Sequence, residues 1–512
     1  MPFGAAVRMM GGMLTTVPSS SRGLSWLGCG ALAAYAVVAG PVASAASEPS
    51  VRLAPAFQNH AVLQRGRAIP VTGQAKPGDR VTVQFGEHTL SGLTGTDGHF
   101  RVELPPLEAS SVGRTLTVRA ASDESDVVLS DLVVGDVWLC SGQSNMEWSI
   151  GQLPGADAVV GAANDPLIRT LKTPHLLSFE PSASVPGAWV PVTGEAVRHC
   201  TAIGYHFAKE IRAAQGIPIG ILDCSWGGTR IEPWIPPSGA ARDGALGAAR
   251  QATLDRRTSA DDKARAPRPE DPCVMWNAMI APLADFPVRG VAWYQGESNA
   301  GEPDNYRRFL PLMIDAWRVE LGVPDLPFAV FQLASFMPYR PEMPVEGGWA
   351  ELREAQRLGA AERNAGLVVL LDIGDAADIH PPQKAEAGRR LALWARATIY
   401  GESIPFSGPA LRGASVRDGA IVCSFDYAKG LGGRDGKAIG GFAIAGADGR
   451  FVRAEASVEG ETIVVRSADV AQPVEVRYAW HNNPEEANLV NGAGLPASSF
   501  RAAVDAKAAA KP

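Results

Sequence analysis

At 512 residues the chain exceeds what one compact core usually needs, so two or three domains are expected, and the pattern along it points to three. With 46% hydrophobic and 20% charged residues, the composition is that of an ordinary globular protein. A formal net charge of −7 offers no basic footprint for nucleic acid and fits a neutral or polar small-molecule partner better.

The N-terminus carries Arg8 and Arg22, an apolar run from Leu24 to Val42, and then Ala43-Ser44-Ala45-Ala46. That order of charge, apolar core and small residues predicts a secretory signal over residues 1–45 and a periplasmic or secreted product. A transmembrane anchor is the weaker reading, because Gly28, Gly30 and Gly40 dilute the run. Cys29 lies before most of the apolar core, which argues against a lipoprotein cysteine. No later apolar stretch reaches the length of a span, so no membrane association is expected once the signal is removed. The five remaining cysteines, Cys140, Cys200, Cys224, Cys273 and Cys423, are odd in number and lack the paired spacing of a zinc site. At least one thiol is unpaired, and Cys140 and Cys224, each ending an apolar run, read as buried small residues.

Residues 49–130 read as a small β-sandwich. Ala68–Gly73, Arg80–Phe85, His99–Leu104 and Arg114–Arg119 alternate apolar and polar residues, punctuated by Pro77-Gly78 and Asp97-Gly98. From 131 to 402 the pattern changes to apolar strands alternating with amphipathic helices, the mark of a parallel sheet covered on both faces. Strands are predicted at Asp136–Leu139, Pro218–Asp223, Gly290–Tyr294, Phe328–Leu333 and Leu367–Leu371. Helices are predicted at Ala202–Ala214, Asn305–Leu321, Trp349–Ala361 and Gln383–Tyr400. A second β-domain follows over 403–501, with strands such as Ala420–Phe425 and Thr462–Arg466. Residues 502–512 form an Ala/Lys tail with no evident reason to order.

In Gly135-Asp-Val-Trp-Leu-Cys-Ser-Gly-Gln-Ser144-Asn-Met-Glu-Trp148, an apolar strand runs into a Gly-containing turn with a serine just beyond it. Ligands bind at the carboxyl ends of strands in an open α/β sheet, so Ser144 is placed where a nucleophile is useful. A lone serine in such a turn is more often a helix cap, and its partners decide the matter. His380, in Asp378-Ile-His-Pro, follows the last predicted strand and is the candidate base. His60, His88, His99 and His481 fall in the β-domains and His206 in a helix; His175 and His199 are weaker candidates. Donors for a developing oxyanion are offered by Gly227-Gly228 in Ser225–Arg230 and by Asn299 in Gly296–Asn299, where a tight turn and a cap are the plainer readings.

These segments resemble the sialate O-acetylesterase family of the SGNH hydrolases, in particular its bacterial carbohydrate acetylesterases. The matching stretches are Gly135–Trp148, Ser225–Trp234, Gly290–Asn299 and Asp372–Arg390, in that order, with Ala61–Arg65 and Pro70–Gly73 of the preceding β-domain. The resemblance covers roughly residues 50 to 400. It implies a three-layer α/β/α, flavodoxin-like SGNH catalytic domain, flanked here by N-terminal and C-terminal β-sandwich-like domains. It also implies a serine esterase removing O-acetyl groups from a sugar, sialate or plant cell-wall, with Ser144 as nucleophile, His380 as base, and Gly228 and Asn299 as oxyanion donors.

SGNH enzymes usually place an aspartate three residues before the histidine, but that position is Ala377 here. Asp378 is taken as the orienting acid because residues two apart in an extended segment face one side, with Asp375, Asp372 and Glu297 as alternatives. Trp148, Trp226, Trp234 and Tyr294 adjoin the motifs and offer sugar-binding surfaces, although packing is expected of at least two of them; Trp234 is the substrate-contact choice. Arg230 is a second such choice, against an equal reading as the partner of Glu232. A non-catalytic carbohydrate-binding protein is the main rival, disfavoured by the joint presence of Ser144, Asn299 and His380. No His-Glu-x-x-His or compact Asp/His cluster occurs, so neither a metal nor another cofactor is expected.

Overall fold

The computed structural model describes residues 51–122, 125–258, 265–340, 342 and 348–504. The expected signal over 1–45 lies outside the described residues, as do 505–512 of the expected tail.

The chain begins with β1 (Arg52–Leu53), β2 (Val62–Gln64), β3 (Ile69–Gln74), β4 (Arg80–Phe85), β5 (His88–Leu93), β6 (His99–Leu104) and β7 (Ser110–Ala120). One antiparallel sheet has the order β1-β3-β6, and a second runs β5-β4-β7. In β4 and β6 every second residue is buried, as the alternation in the sequence requires of a sheet with one face on a core. The next strand, β8 (Val127–Gly142), is 16 residues long and belongs to two structures. Its first part alternates and pairs antiparallel with β7, whereas from Leu132 onward every residue is buried. The boundary placed at 130/131 therefore falls inside a strand: the chain passes from one sheet to the other without a loop, bending at Asp131, whose φ is 56°.

The rest of the central sheet comprises β9 (Ile168–Lys172), β10 (Trp189–Pro191), β11 (Ile219–Ser225), β12 (Gly290–Tyr294), β13 (Phe328–Phe331) and β14 (Gly366–Val368), in the order β10-β9-β11-β8-β12-β13-β14. All neighbours are parallel except β10, which lies antiparallel on the edge. Trp138 and Gly290 are register partners and share a face, where Trp138 meets Phe207 and Trp394 of the helices Ala202–Gln215 and Lys384–Thr398. Trp293, three residues on, faces the other side and meets Trp234 and Trp317, the latter from the helix Pro303–Glu320, which packs against Trp349–Glu362. Helices on both faces account for the unbroken burial of β11, β12 and β13.

After the last helix come two further four-stranded antiparallel sheets, which include Ala420–Asp426 and Thr462–Arg466. Phe500–Ala503 closes one of them, so residues 502 and 503, assigned to the tail, pair with Val476 and Glu475. The architecture is a mixed α/β central sheet with parallel strands and flanking antiparallel β-sheets. No helix among the described residues is long and apolar enough to cross a membrane. The five described cysteines are buried free thiols.

Candidate active site

From β8 the chain first builds β9 and β11 on one side and then β12 on the other, so the carboxyl end of β8 opens where the strand order reverses. Gly142 ends β8 at φ +129°, and a Cβ there would stand 2.0 Å from the Tyr294 carbonyl oxygen. Only glycine permits this approach. The Gln143 amide donates to the Tyr294 carbonyl at 2.9 Å and the Trp226 amide to the Gly142 carbonyl at 3.0 Å, tying the ends of β8, β11 and β12 together. Ser144 follows, half-buried, as the first residue of the short helix Ser144–Glu147.

His380 reaches it from 236 residues away, with Nε2 2.8 Å from Ser144 Oγ. Asp378 Oδ1 lies 3.5 Å from His380 Nδ1. It also accepts the His380 main-chain amide at 2.8 Å, from a side chain 54% exposed. With a carboxylate beside Nδ1 and a hydroxyl beside Nε2, the partners assign the Nδ1–H tautomer. The other candidate acids are engaged elsewhere. Asp372 is paired with Arg390 and Arg434, each at 2.6 Å. Asp375 Oδ1 shapes the turn by accepting the Ala377 and Asp378 amides at 2.8 and 3.3 Å. Glu297 accepts from Asn145 Nδ2 at 2.6 Å. Burial and the nearby Lys384 cation hold His380 below the ordinary histidine pKa, against the opposing pull of Asp378. The Trp148 ring stacks on the imidazole at 4.9 Å and 19°.

Gly227 packs on Ser144: a Cβ there would lie 3.2 Å from Ser144 Cβ. Its amide is already occupied, donating to Glu147 Oε2 at 2.6 Å. Gly228, at φ +74° and exposed, carries the next amide of the turn. Asn299, Trp234 and Tyr294 are not presented to the site. Asn299 is wholly buried, accepting from the Ile231 amide at 3.0 Å and Gln295 at 2.8 Å and donating to Glu232 at 3.1 Å, so its carboxamide braces the core beneath the loops. Trp234 is wholly buried against Trp293 with its indole N–H on Thr229 Oγ1 at 3.0 Å, and Tyr294 is buried as well. Arg230 bridges Glu232 and Glu302 at 2.7 and 2.8 Å, the salt-bridge reading of that residue.

The site also holds Glu147, which the sequence did not single out, and His175, one of its weaker base candidates. His175 Nε2 contacts Glu147 Oε1 at 2.6 Å, and its ring lies flat on Trp226 at 4.3 Å and 5°. Glu147 therefore links His175 to the glycine turn, one helical turn after Ser144, and that i+3 spacing was the available signal. Among the described residues no group of three or more His, Cys, Asp or Glu is arranged to hold a metal ion.

The family model for "Carbohydrate esterase, sialic acid-specific acetylesterase" matches residues 134–395. Sialate O-acetylesterase from Homo sapiens is 30% identical over 394 residues, which cover 70% of this chain and 73% of that protein. The Mus musculus sialate O-acetylesterase is 27% identical over 491 residues, 85% of this chain and 90% of its own. The crystal structure of a carbohydrate acetylesterase from Xanthomonas citri matches with a TM-score of 0.78 at 39% identity, covering 88% of this chain and 99% of that one. The chain belongs to the sialic acid-specific acetylesterase family of carbohydrate esterases. It is a carbohydrate acetylesterase, an ester hydrolase whose substrate is an acetylated carbohydrate.

Proposed function

We propose that the protein is a secreted or periplasmic SGNH-type serine esterase that cleaves sugar O-acetyl esters through an acetyl-enzyme on Ser144. The carrying observation is the 2.8 Å contact between Ser144 Oγ and His380 Nε2 at the strand-order reversal of a carbohydrate acetylesterase. His380 takes the Ser144 proton as Oγ attacks the acetyl carbonyl. It then returns that proton to the departing sugar hydroxyl, leaving the acetyl group on Oγ; water, deprotonated by the same imidazole, releases acetate. Asp378 orients the imidazole and stabilises its charged form. The oxyanion is met by the Gly228 amide and by the Ser144 amide, which as the first residue of its helix has no carbonyl to bond within it.

The half-buried Trp226 and the His175 stacked on it form a flat wall linked through Glu147 to the turn that carries Ser144, suited to the apolar face of a sugar ring. A signal-bearing chain with two accessory β-regions favours a polysaccharide or its oligosaccharides over a free sialoside. Acetate release by the wild type and by Ser144→Ala, measured over acetylated sialosides and plant oligosaccharides, tests the reading. Release from one class that disappears in the variant is expected. A folded wild type that binds a glycan yet releases acetate from none would mark a non-catalytic binding protein instead.

A further inference from the structure

Lys384 opens the helix Lys384–Thr398 four residues after His380, and it is 2% exposed. A lysine is rarely buried without a task, since an apolar side chain of similar length fills the same space without taking a charge out of water. Its ammonium donates to Asn145 Oδ1, and it lies 5.8 Å from the centre of the Trp148 ring and 5.7 Å from that of Tyr294. Trp148 in turn stacks on His380, so a buried cation sits close to the catalytic imidazole. Asn145 has two further contacts through Nδ2, to Glu297 Oε1 at 2.6 Å and to the Ile379 carbonyl at 3.0 Å. Residue 145 follows the nucleophile and residue 379 precedes the base, so one carboxamide ties their two backbones together. Glu297 Oε2 is buried with no partner of its own, and the carboxylate and the ammonium lie on either side of one amide.

We propose that Lys384 is a positioning residue for His380: with Asn145 and Glu297 it forms a buried polar bracket that fixes the imidazole against Ser144 and places a positive charge behind it. This rests on the serine-esterase reading. The charged and titratable groups facing Lys384 are Glu297 on the β12 side, and Asp378 and His380 on the base loop, with the neutral Tyr294 phenol at the end of β12. His206, on the helix packed against that of Lys384, is held neutral by burial, its pKa pushed down to about 4. Burial lowers the Lys384 pKa to about 7 against the pull of Glu297 and Asp378, and the charged form lowers the pKa of His380. In acid the protonated Lys384 therefore keeps His380 competent as a base to a lower pH than it would otherwise reach.

The test compares Lys384→Met, which keeps the length and removes the charge, and Lys384→Arg, which keeps the charge, with the wild type on one acetylated glycan. Thermal midpoints are recorded alongside. In Lys384→Met, kcat is expected to fall roughly ten- to hundredfold with little change in KM. Its acid limb of kcat/KM is expected to move up by roughly half a pH unit, and Lys384→Arg to restore the position of that limb. Wild-type kcat and an unmoved acid limb in Lys384→Met, with only the thermal midpoint lowered, would overturn the proposal. If Lys384→Met does not fold, Asn145→Ser decides by the same kcat loss, and full kcat there overturns the bracket. Failure of the parent reading is read separately, as acetate release that survives Ser144→Ala.

Discussion

Asp378 meets the imidazole at 3.5 Å from a half-exposed position, which bounds what its loss can cost. Removing a buried, directly bonded triad acid lowers kcat about 10⁴-fold, whereas a solvated acid at longer range is expected to contribute about ten- to a hundredfold. Asp378→Asn should therefore lower kcat by that smaller factor. The same variant carries a pH signature: the proposed mechanism needs neutral His380, whose pKa already lies below the ordinary value, so the acid limb of wild-type kcat/KM is expected below pH 6.5. Asp378 raises that pKa, so its neutralisation moves the limb further toward acid, opposite to the shift expected for Lys384→Met. A pH–rate profile of the wild type and both variants checks the three positions. A nearly unchanged rate in Asp378→Asn with activity abolished in Asp375→Asn would transfer the orienting role to the residue that shapes the turn.

Each side chain of the proposed catalytic set stands between elements, and the strictest junction is the end of β8. Gly142 combines a φ of +129° with a Cβ position 2.0 Å from the Tyr294 carbonyl, so Gly142→Ala must spread β8 from β12. A loss of about 3 kcal/mol or more in denaturant unfolding, with activity lost in the fraction that folds, is expected. Much at this scale was legible beforehand. Buried runs such as Gly290–Tyr294 and amphipathic ones such as Trp349–Glu362 carry their own period. The segments β9 and β10 escaped because Ile168-Arg-Thr-Leu-Lys mixes polar residues into a buried strand and Trp189-Val-Pro is three residues long. Ser144 and His380 were legible as candidates because strand ends mark ligand crevices, and the family resemblance points to the same two; Asp378 was chosen by its spacing from His380, since the family's usual aspartate position is Ala377 here. Trp234 and Asn299 were misplaced because adjacency to a motif says nothing about which way a side chain faces within a 3₁₀ turn. The contact of His175 with Glu147 and the Lys384 bracket are meetings of distant segments, for which the i+3 spacing of Glu147 from Ser144 was the one local signal.

Across the molecule the regions are less separable than the sequence suggests. The N-terminal strands and the central sheet share β8 and one continuous hydrophobic core that includes Val71, Phe85, Trp138 and Phe331. A second core, in the C-terminal sheets, takes in Val369 and Leu371, just before the loop that carries His380. Arg434 from that region also pairs with Asp372, so the base loop is held at its root by the C-terminal sheets. Unfolding of the N-terminal strands and the central sheet is therefore expected as one calorimetric transition, and deletion of residues 49–130 to leave a chain that does not fold, since it cuts β8 away from β7 and β2. Two resolved transitions, or a soluble active fragment, would show that β8 is a linker rather than a shared element.

The most direct measurement is a rapid-quench experiment in which the wild type turns over a glycan carrying isotopically labelled acetyl groups and the protein is then mapped by peptide mass spectrometry. A transient acetyl label on the peptide containing Ser144, absent in Ser144→Ala and longer-lived in a His380→Ala variant whose acetylation is driven with an activated acetyl ester, is the predicted result. Steady acetate release with no label on Ser144 at any time, or a label on another side chain that turns over at the catalytic rate, would contradict it.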